Sequence, residues 1–221
     1  MTVYYAAEDQ KTAELLEFFS ATSVRNVTWN WCAIPKEELF RRSIGRNEAA
    51  LRTEADWIWF TDCDLMFRHG CLDALADALQ GRRDSLVYPQ VEHRTALLSD
   101  EDLLLQTDMR TLRIVDVEDA LFTPYRNTRA TGPHQIVHGD VARAVGYCNA
   151  VRYYLKPQPR FAKCREDRAF RWLLGTDGVP IDVPGAYRIR HASKGRYSPS
   201  GARTEVRKWL RRENSKATTR P

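Results

Sequence analysis

Apolar and polar positions along the chain follow two different periods, which predict strands and helices in alternation. Short runs of β-branched and aromatic residues, such as the unbroken apolar run at residues 57–60, predict strands. Apolar residues spaced three and four positions apart predict amphipathic helices. The predicted strands cover residues 3–7, 27–34, 57–60, 85–91, 111–117, 135–138, 181–183 and 187–191. The predicted helices cover residues 11–19, a segment from Pro35 to Leu51, 72–79, 140–145 and 165–174.

This order of elements is typical of an α/β domain, in which helices cover the strands of a sheet. The apolar run at residues 57–60 fits a strand buried on both faces, as in a parallel sheet. Residues 125–133 contain turn-forming residues and are expected to form a loop. The sequence therefore predicts an α/β fold in which helices cover a mainly parallel sheet.

The size and composition of the chain fit one large core. Its 221 residues are 43% hydrophobic and 29% charged, which excludes collagen, low-complexity disorder and a coiled coil. No segment reaches the ~18–20 consecutive apolar residues of a transmembrane helix, and the first residues lack the pattern of a signal peptide. Five cysteines without a CxxC pair argue against a disulfide framework and a structural zinc site. A cytoplasmic location, in the host cell if the protein is viral, is expected.

Positive charge is concentrated near the C-terminus. The net charge is +5, yet residues 187–221 hold eight Arg, three Lys and two Glu, a net charge of +9. The remaining residues are mildly acidic. A basic block attracts phosphates on a nucleotide, a nucleic acid or an anionic membrane, although a solvated terminus has the same composition.

Two carboxylates follow the predicted strand at residues 57–60. Asp62 and Asp64 stand where ligands bind in open α/β sheets, at the carboxyl end of a strand. Two adjacent acids repel each other unless a positive charge lies near them, and Mg²⁺ or Mn²⁺ prefers carboxylate and phosphate oxygens. The pattern indicates a divalent metal site, while a surface turn with two solvated acids is the alternative.

Three further blocks of sequence carry a family resemblance. The first is RNEAA at residues 46–50 followed by ADWIWFTDCD at residues 55–64, the second is GPHQIV at residues 132–137 followed by Gly146 and Tyr147, and the third is EDRAF at residues 166–170. In this order and spacing they resemble the family 2 glycosyltransferases of the GT-A fold. The resemblance implies a GT-A-like α/β fold, with a Rossmann-like mixed, mainly parallel sheet flanked by helices. It also implies a hexosyltransferase-type enzyme that moves a sugar from a nucleotide sugar, with UDP as the expected carrier, to an acceptor hydroxyl. It also implies inversion at the sugar and a divalent metal, Mn²⁺ or Mg²⁺.

The resemblance implies roles for individual residues. Asp64 is the expected metal ligand, Asp62 contacts the ribose or reaches the metal, and His191 is a further ligand unless it is a packed residue. Such a metal neutralises the charge that develops on the leaving diphosphate. Asp167 is the expected base that removes the acceptor proton, with Glu166 as the fallback, although acids at a helix start also act as caps.

Nucleotide binding is predicted for several residues outside these acids. The family's usual P-x-Y/F-N segment is replaced here by YAAED at residues 5–9, so the way the base is held departs from the family. Two arginines precede the acidic motif and face either the nucleotide or solvent. The residues predicted to bind the nucleotide sugar, besides Asp62, are Ala6, Arg42, Arg46, Lys194 and Arg196.

The predicted organisation is a catalytic domain at residues 1–186 and a basic extension at residues 187–221. The extension is expected to complete the active site and contact an acidic acceptor. The leading hypothesis is DNA with a hydroxymethylated base, flipped out of the duplex, as in small phage enzymes that modify DNA. A cell-surface saccharide or lipid acceptor is the alternative, and a non-catalytic nucleic-acid-binding protein is the second. A nucleotidyltransferase is disfavoured, because residues 3–11 contain no glycine.

Overall fold

A computed structural model describes residues 1–99, 101–102, 104–105, 114, 116–161, 164–191 and 209. Its strands are β1 (Thr2–Tyr5), β2 (Asn30–Ala33), β3 (Trp57–Phe60), β4 (Leu65–Phe67), β5 (Leu86–Pro89), β6 (Val91–Thr95), β7 (Phe122–Arg126), β8 (Gln135–His138), β9 (Val179–Ile181) and β10 (Ala186–Arg188). Its α-helices are α1 (Gln10–Ala21), α2 (Lys36–Leu39), α3 (Arg42–Arg52), α4 (Cys71–Leu79), α5 (Gly139–Val145) and α6 (Glu166–Leu173). Short 3₁₀ turns cover Asp119–Leu121, Gly132–His134 and Arg152–Leu155.

The chain divides into two compact units, neither of which is continuous in sequence. The first unit comprises residues 1–61, 83–88 and 129–179, and the second comprises residues 62–82, 89–128 and 180–221. The predicted domain boundary between residues 186 and 187 falls inside β10. The extents of the predicted catalytic domain and of the basic extension remain predictions.

The first unit contains a parallel pair, β1 and β2, and a sheet in which β8 lies between β3 and β5. Strand β8 runs antiparallel to both of its neighbours, with Trp59 opposite Ile136 and Val87 also opposite Ile136. Phe60, Tyr147 and Phe170 form the centre of the core, with the Tyr147 and Phe170 rings stacked at 4.4 Å. The core of this unit therefore lies between the sheet and helices α3, α5 and α6.

The second unit contains a four-stranded sheet in the order β4, β10, β6, β7. Strand β10 pairs antiparallel with β4 and parallel with β6, while β6 and β7 are antiparallel. The Tyr187 ring stacks on His93 at 4.7 Å and contacts the edge of Phe122 at 4.9 Å. Arg68 forms ion pairs with Asp116 and Asp119, which attach that segment to the sheet.

The α/β class and the mixed sheets flanked by helices are confirmed. The prediction that pairing is mainly parallel needs correction, because antiparallel pairings outnumber parallel ones among those of the described strands. The run WIWF at β3 pairs antiparallel with β8, and only Phe60 is fully buried. Aromatic content identified this strand, but it does not determine the direction of the neighbouring strand.

Three local predictions also differ from the structure. The helix predicted from Pro35 to Leu51 is broken near Arg41 into α2 and α3, and Leu51 is exposed. The buried face of α3 is small and polar, since Ser43 and Asn47 lie on it. Residues 122–126 form strand β7 where part of a loop was expected, because they pair with β6. Most of the strand predicted at residues 111–117 lies outside the described residues, and no described helix is long and apolar enough to cross a membrane.

Candidate functional site

A chain of buried polar side chains in the first unit connects the three sequence blocks. Arg46 Nη1 donates to the Tyr147 hydroxyl at 3.1 Å, and that hydroxyl donates to Gln135 Oε1 at 2.8 Å. Gln135 Nε2 then donates to the backbone carbonyl of Asp167 at 3.0 Å. Burial raises the pKa of the Tyr147 hydroxyl, which therefore remains protonated and able to donate. The three blocks thus converge on the first turn of α6.

Asn47 determines the backbone conformation of the Gly146–Tyr147 pair in the second block. The Asn47 side chain accepts a hydrogen bond from the Tyr147 backbone N–H at 2.8 Å and donates to Asn149 Oδ1 at 3.2 Å. Gly146 has a φ of +62°, and a Cβ at this position would overlap Asn47 Oδ1. Glycine is therefore required here for both conformation and space.

Glu166 is a buried structural acid. Its carboxylate is 1% exposed and accepts hydrogen bonds from Arg42 Nη2 at 2.6 Å and Arg42 Nε at 3.0 Å. The Cys164 thiol donates to the other carboxylate oxygen. Burial alone would raise the pKa of Glu166, but the Arg42 charge and the hydrogen bonds outweigh it, so the pKa lies below its ordinary value. This acid anchors the start of α6 in its ionised form.

Asp167, the next residue, has different surroundings. Its side chain is 32% exposed and lines an open cavity of about 900 Å³ within the first unit. Arg171 Nη1 lies 3.9 Å from Asp167 Oδ2, beyond hydrogen-bond distance. Successive residues of a helix point in different directions, which is why one acid of the pair is buried and the other faces the cavity. Of the two acids, Asp167 has the access that a proton acceptor needs.

The cavity next to Asp167 is rich in arginine. Arg171 is fixed, because its Nε bonds Asp177 Oδ1 at 3.0 Å and its Nη1 bonds the Ala130 carbonyl at 2.7 Å. Trp172 exposes 76% of its surface. The complete lining consists of Arg129, Thr131, Cys164, Arg165, Asp167, Arg168, Arg171, Trp172, Gly175, Thr176 and Asp177. The cavity therefore presents positive charge and an aromatic face.

Asp62 and Asp64 lie in the second unit, in the turn that precedes β4. The Leu65 N–H donates to the Asp62 carbonyl at 3.2 Å, and the Ile189 N–H donates to the Asp64 carbonyl at 2.9 Å. The Asp64 side chain is 8% exposed, and Arg188 Nη2 lies 3.4 Å from its Oδ2. Strand β10 and the residue after it therefore hold Asp64 through both backbone and side chain.

His191 lies on the continuation of β10. It forms a parallel bridge with Leu98, and Leu98 N–H donates to the Arg190 carbonyl at 2.9 Å. His191 follows Ile189, whose N–H binds the Asp64 carbonyl, by two residues. Asp64 thus lies directly before β4, and His191 lies three residues after β10, the strand that pairs with β4.

The donor set at this turn fits a hard divalent cation that is shared with a phosphate. Among the residues that the structure describes, no three His, Cys, Asp or Glu side chains form a group able to hold a metal by themselves. Mg²⁺ commonly takes only one or two protein carboxylates and completes its coordination with substrate phosphates and water. Asp62 and Asp64 supply ligands of that type.

The structure describes three of the residues that were predicted to contact the nucleotide, besides Asp62: Ala6, Arg42 and Arg46. Ala6 follows β1, is 3% exposed, and its carbonyl accepts the Asp9 N–H at 3.0 Å. Arg42 binds Glu166, and Arg46 binds Tyr147 and the Thr61 carbonyl, so both arginines have partners within the protein. Neither Arg42 nor Arg46 faces solvent on α3, which was the alternative to nucleotide binding. Nucleotide binding by these residues stays a prediction, and Lys194 and Arg196 lie outside the described residues.

Sequence reasoning missed the residues that surround the predicted acids. Arg188 was not singled out as the partner of Asp64, and Arg168 and Trp172 were not recognised as cavity residues. Their signal in the sequence was present, since Arg168 and Trp172 are four positions apart on α6 and therefore share a face of the helix. Arg42 was predicted to contact the nucleotide, and its binding to Glu166 had no local signal.

Comparison with known proteins identifies the family of the chain. The model of the family described as glycosyl transferase family 2 matches residues 8–139, more than half of the chain. The matched segment includes Arg46, Asp62, Asp64 and Gln135, but it ends before the Glu166–Asp167 pair. Neither a curated protein nor a solved structure matches the chain. The matched segment contains the first of the three sequence blocks and the start of the second, which carried the resemblance. The chain therefore belongs to glycosyl transferase family 2 and is a glycosyltransferase.

Proposed function

We propose that this glycosyltransferase moves a sugar from a UDP-sugar to an acceptor hydroxyl with inversion, and that a divalent metal assists the reaction. One observation carries the proposal: Arg46, Gln135 and Tyr147 join the family-matched segment to Asp167 by hydrogen bonds, and Asp167 faces a cavity. The hydrogen bond from Gln135 holds the Asp167 backbone, while the Asp167 carboxylate is accessible beside a cavity of substrate size, as a general base must be.

The donor half of the proposal rests on Asp62 and Asp64. These residues would hold Mn²⁺ or Mg²⁺ together with the donor diphosphate, and His191 would be a further ligand. The bound metal would stabilise the negative charge that develops on the diphosphate as the glycosidic bond breaks. Arg188, which now pairs with Asp64, has a second anion to bind once the diphosphate is present.

The acceptor half assigns the base to Asp167. An acceptor hydroxyl in the cavity would give its proton to the Asp167 carboxylate as its oxygen attacks the anomeric carbon. Glu166 cannot easily exchange roles with it, because Arg42 and Cys164 occupy its carboxylate. We assign Glu166 to positioning α6, with no direct part in the proton transfer.

For the acceptor, we propose a hydroxymethylated base in DNA. The basic residues 187–221 support an acidic partner, and the arginines of the cavity give the acceptor side of the first unit the same sign of charge. A saccharide or lipid on the cell surface is the competing acceptor. A cytoplasmic location and a phage origin remain predictions that accompany the DNA hypothesis.

The test is product analysis after incubation with a panel of UDP-sugars, Mn²⁺, and either hydroxymethylated or plain DNA. We expect a glycosylated hydroxymethyl nucleoside, identified by mass spectrometry of the digested DNA, only with the modified DNA and only with metal. Metal-dependent UDP release that ignores DNA would exclude the DNA acceptor and favour a saccharide or lipid. The absence of UDP release with every donor would overturn the donor assignment.

A further inference from the structure

The arginines around Asp167 differ in their structural roles. Arg171 is bound by Asp177 and by the Ala130 carbonyl, so it serves the fold. The side chains of Arg129, Arg165 and Arg168 form no hydrogen bond or ion pair within the described parts of the chain, and all three are exposed on the cavity lining. Three such side chains around one cavity favour an anionic ligand, whose charge offsets theirs.

The charge of the lining indicates the charge of the ligand. With Arg171 neutralised by Asp177, three arginines face one carboxylate, that of Asp167, and the cavity has a surplus of two positive charges. A phosphate monoester carries about −1.5 to −2 at neutral pH and offers three acceptor oxygens to the planar guanidinium groups. A single carboxylate would leave part of this surplus uncompensated.

Trp172 adds a second kind of contact. It lies on α6 beyond Asp167, its ring is largely exposed, and it lines the same cavity. An exposed tryptophan offers a flat apolar face to a sugar ring or a nucleobase, while charged groups of the ligand contact the arginines. The cavity volume of about 900 Å³ is in the range of sites for small ligands and single nucleotides.

We infer that the acceptor of this enzyme carries a phosphate group, which Arg129, Arg165 and Arg168 bind while the acceptor ring rests on Trp172 beside Asp167. The inference rests on the proposed role of Asp167 as the base. The phosphate comes either from the DNA backbone, as a diester with one negative charge, or from a phosphorylated sugar, as a monoester with a charge of about −1.5 to −2. The surplus of two positive charges matches the monoester more closely.

The experiment measures binding of two matched pairs of probes by calorimetry, without donor. The first pair is 5-hydroxymethyl-2′-deoxycytidine and its 5′-monophosphate, and the second is glucose and glucose 6-phosphate. We expect the phosphorylated member of at least one pair to bind about tenfold or more tightly than its partner, since charge-assisted hydrogen bonds are the strong ones. The pair that shows the difference identifies the source of the phosphate.

Variants assign the effect to the cavity. Arg168→Gln and Arg129→Gln should each reduce the preference for the phosphorylated probe about tenfold, and Arg168→Lys should restore part of it. Arg83→Gln, which removes an exposed arginine of the first unit outside the cavity lining, is the matched control and should keep the preference. Trp172→Ala should weaken both members of a pair by the same factor, because stacking does not depend on the phosphate.

Several outcomes would overturn the inference. Equal binding within both pairs would exclude phosphate recognition. A preference for the phosphorylated probe that survives in both Arg129→Gln and Arg168→Gln would show that other residues bind the phosphate. A preference that is lost to the same extent in Arg83→Gln would show the same. Competition of the phosphorylated probe with UDP, together with UDP binding that is lost in Arg168→Gln, would assign the cavity to the donor. The proposed function is tested separately by metal-dependent UDP release from wild-type enzyme, so failure of one can be distinguished from failure of the other.

Discussion

The ion pair between Arg42 and Glu166 provides a direct test of the division of roles between the two adjacent acids. The change is Arg42→Ala, which removes the ion-pair partner of a carboxylate that is 1% exposed in the wild type. Among the described residues, the Cys164 thiol is then the remaining side-chain partner of Glu166. Removing one partner of a buried ion pair costs about 3–5 kcal/mol. Arg42 keeps 29% of its side chain exposed, so we expect a loss of about 2–3 kcal/mol in the free energy of unfolding.

The assay is urea unfolding at neutral pH and again at acidic pH, with Arg52→Ala as the control. Arg52 is on the same helix and pairs with Glu48, but its side chain is 78% exposed, so its loss should cost less than about 0.5 kcal/mol. In wild type the lowered pKa of Glu166 means that its stabilisation is present above the ordinary glutamate pKa and is lost as the pH falls through the lower, folded-state value.

The two proteins should respond to acid in different ways. In the Arg42→Ala variant, burial dominates and raises the pKa of Glu166. Protonation then removes the cost of burying a charged carboxylate, so the difference in free energy of unfolding between variant and wild type becomes smaller as the pH falls toward the ordinary glutamate pKa. A loss equal to that of Arg52→Ala, or a difference that widens in acid, would refute the assignment of Glu166 as a buried, ionised structural acid.

Three further predictions follow from the same contacts. Asp167→Asn should reduce sugar transfer by about 10²–10⁴-fold with an unchanged unfolding midpoint, whereas Glu166→Gln should reduce it less than about tenfold; steady-state kinetics distinguish them, and equal losses would contradict the assigned base. Tyr147→Phe should lower the free energy of unfolding by about 1–3 kcal/mol, because Arg46 and Gln135 lose a buried partner. Chemical denaturation measures this loss, and an unchanged free energy would mean that the hydrogen bonds of Tyr147 do not stabilise the fold. Gly146→Ala should cost about 2 kcal/mol or more through its positive φ and the overlap with Asn47, seen as a lower thermal midpoint, and an unchanged midpoint would show that the turn adapts.

Much of the fold could be predicted because its signals are local. The apolar run at β3 and the spacing of apolar residues in α4 and α6 identify those elements from a few neighbouring positions. The polar face of α3 could not be predicted in this way, because Ser43 and Asn47 are buried by partners far away in the sequence. Apolar periodicity favours the opposite face of such a helix.

The candidate site shows the same limit. Its acids could be predicted from motifs, but motifs alone did not separate the role of Glu166 from that of Asp167. That separation depends on which side chain meets Arg42 from another helix and which faces the cavity. The pairing of Asp64 with Arg188 likewise depends on the register of β10 against β4, which no local pattern encodes.

We propose that this family 2 enzyme binds its nucleotide sugar through a metal held by Asp64. The most direct measurement is calorimetric binding of UDP, with and without Mn²⁺, to wild type, Asp64→Asn and the control Asp77→Asn, which alters an exposed acid of α4 in the same unit. We expect Mn²⁺-dependent UDP binding in wild type and in the control, and binding that is about tenfold or more weaker in Asp64→Asn. UDP binding that is independent of Mn²⁺, or equal in all three proteins, would contradict it.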